Sequence, residues 1–445
     1  MSSPQPTSTA QRRYVAQGLS TALLAGAWQR EPMIARAAAS LGRRTPPKWL
    51  TALVDEVLDA YHRRPADRPR ELAAYLQTVP AWQLAWQHRR PPEVVHWTPV
   101  ATEMGPTRWP VAELPDLAAL ARLLDLDQAE LAWFADVRSI ERSASTPLQH
   151  YRWWVAPKRG GVRVLAAPKP RLKQIQRRLL REVIGAIPAH DAAHGCRPGR
   201  SVRTATQPHA GREIVIRADL EAYFAAISAG RIWGVLRNAG LPESVAHTLT
   251  GLVTTVAPLA VLRTIPSGHD PNAGYRLRRW LRNPHLPQGA PTSPALANLV
   301  GYSLDRRLTG LAARFGARYT RYVDDLTFSG GRSLGTARSR FVQLVDEIVR
   351  DEGFRLNERK TVVLGASGRQ ALLGAVVNDR PTLPRPERDA LRAMLHNCAV
   401  HGWRSQVGAR PDFRAYVLGR ISWAAGLDPV FGARLRDAYE AIDWT

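Results

Sequence analysis

The chain has 445 residues, 45% of them hydrophobic, and sets 62 Lys and Arg against 38 Asp and Glu for a formal net charge of +24. That size and composition exclude a disordered or low-complexity protein and allow two or three domains with sizeable cores. The charge is the footprint expected of a nucleic-acid binder, although a basic proteome or a membrane-surface protein gives a similar excess. No apolar run reaches transmembrane length, so no membrane partner is expected. The first twelve residues lack the apolar core of a signal peptide, which makes the cytoplasm the expected compartment. Cys196 and Cys398 match neither a zinc spacing nor a disulfide framework and read as reduced thiols.

Residues 1–17 are rich in Ser, Thr and Gln and are expected to be disordered. From Leu19 to about Val137 the pattern is mostly helical. Leu50, Leu53, Val54, Val57, Leu58 and Tyr61 fall at helical spacing, and Arg70 to Val79 predicts another helix. Pro80 to Pro110 is rich in Pro and Trp and reads as an irregular connection. Leu114 to Asp136 predicts two short helices, with Asp127 capping the second. That pair reads as a helix-turn-helix module or as a helical packing layer, and its acidity favours the layer. Near Tyr151 the character changes: ten Lys and Arg and no Asp or Glu occur up to Arg181. Trp153-Trp154-Val155 and Val162-Arg163-Val164-Leu165 flank Lys158-Arg159-Gly160-Gly161, which predicts a β-hairpin with a basic, glycine-bearing turn. Leu172 to Ile187 reads as a basic helix. From about 210 to 380 strands and helices alternate, an α+β arrangement. From Pro386 onwards the pattern is helical, with Arg388, Arg392, His396 and Arg404 in or just after one helix.

The chemistry concentrates in Tyr322-Val323-Asp324-Asp325, between Arg318-Tyr319-Thr320-Arg321 and Leu326-Thr327-Phe328-Ser329-Gly330. Two short runs of strand-forming residues around two aspartates predict a hairpin presenting both carboxylates at its tip. Ile214-Val215-Ile216 predicts a buried strand that ends in an exposed Asp219. Three carboxylates on neighbouring strands suit a pair of divalent cations, which activate a sugar hydroxyl and stabilise departing pyrophosphate. The bland reading is a strand-end cap beside an ordinary turn.

Asp219 with Phe224, Leu286-Pro287-Gln288-Gly289, the Tyr-Val-Asp-Asp box and Leu356-Asn357-Glu358-Arg359-Lys360-Thr361 occur in an order that resembles the palm motifs of reverse transcriptases. The finer resemblance is to the retron enzymes of bacteria. His194-Gly195-Cys196-Arg197-Pro198-Gly199-Arg200-Ser201 is similar to their fingers motif, Gln288 to Pro294 to their glutamine loop, and Tyr416 to Trp423 to their thumb. Their Asn-Ala-x-x-His signature stands here as Ala205-Thr206-Gln207-Pro208-His209, with only the histidine kept. Their Val-Thr-Gly triplet stands as Leu372-Leu373-Gly374. The resemblance covers about residues 145 to 445.

The resemblance implies a right-hand polymerase with fingers at 146–212, a palm at 213–380 and a helical thumb at 381–445; before it, composition and pattern leave a disordered tail at 1–17 and a helical N-terminal extension at 18–145. An insertion stands near 265–285; its Arg276, Arg278, Arg279 and Arg282 with Tyr275 and Trp280 read as an RNA grip or as a solvated basic loop. The resemblance makes Asp219 and Asp324 the main ligands of two Mg²⁺ ions, with Mn²⁺ as a substitute and Asp325 assisting. Phe224 becomes a ring that excludes a ribose 2′-hydroxyl, against the bland reading of a core aromatic. Tyr322, Gln288 and Gly289 would border the nucleotide, Lys158 and Arg163 clamp its triphosphate, and Lys360 protonate pyrophosphate; as an isolated lysine, Lys360 also reads as a surface residue. His194, Gly195, Arg197, Gly199, Arg200, Ser201, His209 and Arg392 would contact nucleic acid. The implied activity is RNA-directed DNA synthesis from deoxynucleoside triphosphates, copying a cognate structured non-coding RNA from a guanosine 2′-hydroxyl. The implied partners are that RNA, the RNA–DNA hybrid and an effector protein in anti-phage defence. The rival readings are another bacterial reverse transcriptase, of another defence class or of the intron type, and a non-catalytic RNA-binding scaffold.

Overall fold

The computed structural model describes residues 9–87, 91–98, 100–158, 161–266, 271–408 and 410–445. The chain opens with five helices, α1 (Thr9–Leu24), α2 (Arg30–Ser40), α3 (Lys48–Ala60), α4 (Pro69–Leu76) and α5 (Pro80–Gln87). They share a core that includes Leu19, Leu23, Met33, Leu50, Leu53, Leu72 and Trp82. Two expectations are corrected here. Residues 9–17, expected to be disordered, belong to α1, because Val15, Ala16 and Leu19 lie on the stripe that this core buries. Residues 80–87, expected to be irregular, form α5, because Pro80 starts the helix, where no backbone N–H donor is needed.

The next pair, α6 (Leu117–Leu124) and α7 (Gln128–Ala135), is capped by Asp116 and Asp127, the latter in a reciprocal capping box with Glu130. Strands β1 (Tyr151–Lys158) and β2 (Gly161–Pro168) form an antiparallel hairpin that pairs Lys158 with Gly161 and Ala156 with Arg163. Arg159 and Gly160, expected in its turn, lie outside the described residues. Helix α8 (Pro170–Glu182) follows. Then come α9 (Val202–Thr206), β3 (Ile214–Asp219), the single turn α10 (Tyr223–Ala226), α11 (Ala229–Asn238), α12 (Glu243–Val253), α13 (Leu259–Thr264) and α14 (Pro271–Leu281). The described part of the 265–285 segment is therefore largely helical.

The remaining elements are α15 (Ser293–Val300), α16 (Tyr302–Arg314), β4 (Arg318–Tyr322), β5 (Asp325–Gly330), α17 (Arg332–Thr336), α18 (Arg338–Asp351), β6 (Val362–Gly365), the short pair β7 (Ala371–Leu372) and β8 (Ala375–Val376), and three terminal helices α19 (Arg385–His401), α20 (Phe413–Leu427) and α21 (Pro429–Glu440).

Two compact units emerge, neither continuous in sequence. One comprises Met1–Ile187, Ser228–Gly274 and Leu281–Pro291; the other comprises Pro188–Ile227, Tyr275–Trp280 and Thr292–Thr445. In the first, α12 packs against α6, α7, α8 and α11. The second is built on a four-stranded sheet in the order β4-β5-β3-β6 with every neighbouring pair antiparallel. One face of that sheet is apolar: Phe328 stacks on Tyr319 at 4.8 Å and meets Phe341 of α18 edge-on at 5.1 Å. The period of two then places Arg217, Asp219, Asp325 and Thr327 on the other face. The terminal helices of this unit share a core around Leu391, Leu395, Val417, Ile421 and Leu435.

Candidate active site

Asp219 ends β3 directly opposite Asp325, which begins β5. Directly opposed residues of antiparallel strands have Cβ atoms about 5 Å apart, so the pairing alone juxtaposes two carboxylates. Asp324 occupies the turn before Asp325. The register continues to Tyr322 opposite Asp325, so Val323 and Asp324 form a two-residue turn. Val323 adopts φ +60°, the left-handed region that such a turn usually fills with glycine. For a β-branched residue this costs about 1–3 kcal/mol and persists only where the surroundings hold it.

The surroundings are specific. Arg321 is fully buried, and its guanidinium donates to Asp305 Oδ1 (2.7 Å) and Oδ2 (2.6 Å), to Asn298 Oδ1 (3.1 Å) and to the Val323 carbonyl (3.0 Å). Asp305 also accepts from the Tyr319 hydroxyl at 2.8 Å. Asn298 donates to the Gly195 carbonyl at 2.8 Å. A Cβ on Gly195 would lie 2.7 Å from the Val323 nitrogen and Cγ2, so a glycine is required where that loop runs beneath the turn. Behind the carboxylates, the Leu220 N–H donates to the Asp324 carbonyl (2.9 Å) and the Asn357 N–H to the Asp219 carbonyl (2.7 Å).

The carboxylates are not left bare. Asp219, expected to be exposed, is 6% exposed. Lys360 Nζ donates to its Oδ1 at 2.7 Å and Asn357 Nδ2 to its Oδ2 at 3.4 Å. Arg217 Nη2 stands 3.8 Å from Asp325 Oδ1. Burial, followed by the neighbouring Asp324 charge, pushes the Asp325 carboxyl up to about 6 despite Arg217, with Asp219 adding to the rise. Among the described residues, no group of three or more His, Cys, Asp or Glu side chains is gathered closely enough to hold a metal ion as it stands. The donor chemistry nevertheless fits a hard divalent cation. All three groups are carboxylates, and their mutual repulsion at Asp325 is the kind that such a cation relieves.

The other expected residues divide by environment. Lys360 sits on Asp219. Tyr322 and Phe224 are half-buried in the same unit. In the other unit, Lys158 and Arg163 are exposed and, by the hairpin register, share one face. Also in that unit, the Gln288 carbonyl accepts from the Ala166 N–H at 2.9 Å. Gly289, at φ +132°, brings its backbone so close to Ala166 that a Cβ would lie 3.0 Å from that carbonyl.

The 194–201 loop and its companion histidine differ most from expectation. His209 is fully buried; its Nδ1 is bonded to Ser329 Oγ of β5 (2.7 Å) and its Nε2 to Thr320 Oγ1 of β4 (2.8 Å). It braces two strands from inside and cannot touch nucleic acid. His194 is buried too, 2.9 Å from Thr204 Oγ1, and Gly195 underlies the Val323 turn. These three assignments to nucleic-acid contact are corrected. Arg197 donates to the carbonyls of His190 and Ala193, and Ser201 caps α9. Gly199 is exposed at φ +70°, and Arg200 lies 3.4 Å from Asp191. Arg392 is exposed and lies over the Phe431 ring at 5.2 Å. The sequence reading had no signal for Arg321, Asp305 and Asn298. Only the adjacency of Arg321 to the Tyr-Val-Asp-Asp box hinted at one of them.

The fold is of mixed helix and sheet, and its antiparallel sheet sets two carboxylates face to face with a third in the adjoining turn. Residues 156–377 match the family model for reverse transcriptase (RNA-dependent DNA polymerase). The chain is 42% identical over 290 residues to the retron Mx65 reverse transcriptase of Myxococcus xanthus, covering 65% of this chain and 64% of that protein. It is 38% identical over 303 residues to the retron Mx162 reverse transcriptase of the same organism, covering 64% and 59%. It is 27% identical over 268 residues to the retron Ec86 reverse transcriptase of Escherichia coli, covering 57% and 75%. The chain thus spans about three fifths of the length of the two Myxococcus relatives. The family model and the relatives together support a bacterial retron-type reverse transcriptase.

Proposed function

We propose that the protein is an RNA-directed DNA polymerase. The observation that carries this reading is the opposition of Asp219 and Asp325 on paired strands, with Asp324 held in a strained turn by a buried arginine. Clustered carboxylates, one of which burial and its neighbours push up to about 6, are costly to a fold, and a binding scaffold gains nothing from them. The divalent ions that reverse transcriptases generally use, here Mg²⁺, would supply Lewis-acid stabilisation of the nucleophile and of pyrophosphate. Asp219, Asp324 and Asp325 would hold them. Lys360, which donates to Asp219, would give a proton to the leaving group. In this reading the β3–β6 sheet with its helices is the palm, the β1–β2 hairpin belongs to the fingers, and α19 to α21 form the thumb. Lys158 and Arg163, side by side on one hairpin face, would clamp the triphosphate. Phe224 would exclude the ribose 2′-hydroxyl. The backbone of Gln288 and Gly289 would border the new base pair. Arg200 and Arg392 remain accessible for phosphate contact. The N-terminal helical core would serve RNA or partner-protein binding.

The likeness to retron enzymes supports a finer reading. The template is a structured non-coding RNA, synthesis starts from a guanosine 2′-hydroxyl in it, and the branched product acts with an effector in anti-phage defence. The test is to express the protein with its native flanking locus, extract bound nucleic acid and treat it separately with RNase and DNase. A discrete DNA joined to an RNase-sensitive strand, lost in the Asp324→Ala, Asp325→Ala variant, is the expected result. RNA alone, together with activity on a supplied primer and template, leaves a reverse transcriptase of another class. Synthesis that persists in the double variant overturns the polymerase site itself.

A further inference from the structure

Glu221 stands two residues beyond Asp219, and its carboxylate is bound by an arginine 55 residues away. Arg276 of α14 donates through Nε to both carboxylate oxygens (3.2 and 3.1 Å) and through Nη2 to Oε1 (2.9 Å). Both side chains are more than two-thirds buried. From the other side, the Glu221 N–H donates to the Arg355 carbonyl at 2.8 Å. The next residue, Ala222, takes the left-handed conformation (φ +46°, ψ 44°), where a side chain is disfavoured. Ala222 caps the single helical turn that carries Tyr223 and Phe224. Tyr223 is fixed by a bond from its hydroxyl to the Ala297 carbonyl (2.7 Å) and by Phe354 at 5.2 Å. Phe224 is half-buried with its ring 6.1 Å from that of Tyr223, and among the described residues no hydrogen bond holds that ring. Its position follows from the backbone before it.

Helix α14 does not owe its place to a core. Of its side chains among the described residues, Leu281 alone is buried, and an eleven-residue helix is marginal in isolation. The ion pair therefore joins an arginine-rich helix to the strained turn that aims Phe224.

We propose that the Arg276–Glu221 pair is a specificity-positioning device. It fixes the Ala222 turn and thereby the height of the Phe224 ring against the sugar of the incoming nucleotide. This rests on the reading of Phe224 as the sugar gate. If the pair is broken, Ala222 can relax toward right-handed backbone and the ring loses its fixed position. Ribonucleotides are then admitted more readily, with the carboxylates untouched.

The test is primer extension by the purified full chain with Mg²⁺ on a supplied primer and RNA template. The ratio of kcat/KM for a deoxynucleoside triphosphate to that for the matching ribonucleoside triphosphate is the readout. Phe224→Ala is expected to lower the ratio about a hundredfold, the order at which one well-placed steric contact discriminates. Glu221→Gln and Arg276→Gln are each expected to lower it about tenfold. The exchange variant Glu221→Arg, Arg276→Glu is expected to recover most of it. A stability defect lowers both rates together and leaves the ratio alone. If Phe224→Ala relaxes selection while the pair variants leave the ratio unchanged, the pair is structural only and the inference falls. If Phe224→Ala itself leaves the ratio unchanged, the gate reading fails and the inference falls with it.

Discussion

Two hairpins present charge by opposite means. The β1–β2 hairpin holds Lys158 and Arg163 on an exposed face, and the register that pairs Ala156 with Arg163 suffices to align them. The β4–β5 hairpin holds Asp324 and Asp325 with a left-handed valine, a fully buried ion pair and a histidine bridging both strands. A clamp for a polyanion needs only like charges within reach of phosphate, and flexible stems serve it. In the proposed polymerase, carboxylates that share cations would need a position that self-repulsion would otherwise open, and the turn that carries them is over-determined by its surroundings.

The largest expected effect lies on the acidic hairpin. Asp324→Asn with Asp325→Asn should abolish DNA synthesis in a primer-extension assay while nucleic-acid binding in a filter assay stays intact. Equal loss of both would mean that the turn is structural rather than chemical.

Next is the buried pair. Arg321→Met strands the Asp305 carboxylate and should destabilise the protein by about 3–5 kcal/mol in denaturant unfolding. The double variant Arg321→Met, Asp305→Leu removes both charges and should recover most of that stability. It still leaves the Val323 carbonyl unheld, so kcat should remain at least about tenfold down with the nucleotide KM little changed. Recovery of kcat together with stability would show that the guanidinium does not position the turn.

The basic hairpin should respond differently. Lys158→Ala with Arg163→Ala is expected to raise the apparent KM for deoxynucleotides about tenfold, more strongly at low salt, with a smaller change in kcat and none in the unfolding midpoint. An unchanged KM would remove the hairpin from triphosphate binding and leave the comparison with one functional member.

The smallest effect concerns acid stability. Burial, then the nearby His194 and Arg212, lowers the His209 imidazole from 6.5 to about 3. The unfolded chain therefore takes up this proton first. Stability is full above pH 6.5, starts to fall below it, and goes on falling to about pH 3, with a slope of up to about 1.4 kcal/mol per pH. His209→Gln should flatten that part of the pH–stability curve while costing about 1–2 kcal/mol at neutral pH for a weakened strand bridge. A curve of unchanged slope would assign the acid sensitivity to other groups.

How far these features could be read in advance follows from their range along the chain. The β4–β5 hairpin was readable because its strands are adjacent in sequence and its turn is two residues long. The helices α3, α6 and α7 were readable because spacing and caps are local signals. Helix α5 was misread because Pro80 looks like a breaker unless it is known to stand at a first turn. His209 and His194 were misread because a histidine among glycines and arginines has the composition of a phosphate-binding loop, and composition does not report burial. As an isolated lysine after a turn, Lys360 read more readily as a surface residue. It meets Asp219 because the backbone just before β6 runs beside the end of β3, a matter of sheet order.

By itself the sequence determined the reactive inventory: which carboxylates lie near one another on paired strands, which segment is basic, and where a capped helix such as α7 starts. Those depend on neighbours a few residues away, where backbone geometry leaves few choices. Only the tertiary structure decided which charges are spent on holding the fold. Arg321 finds Asp305, Arg276 finds Glu221 and His209 finds two strands because packing closes loops of 16 to 120 residues, and in a water-poor interior a buried polar atom takes the partner that closure brings or goes without at a cost.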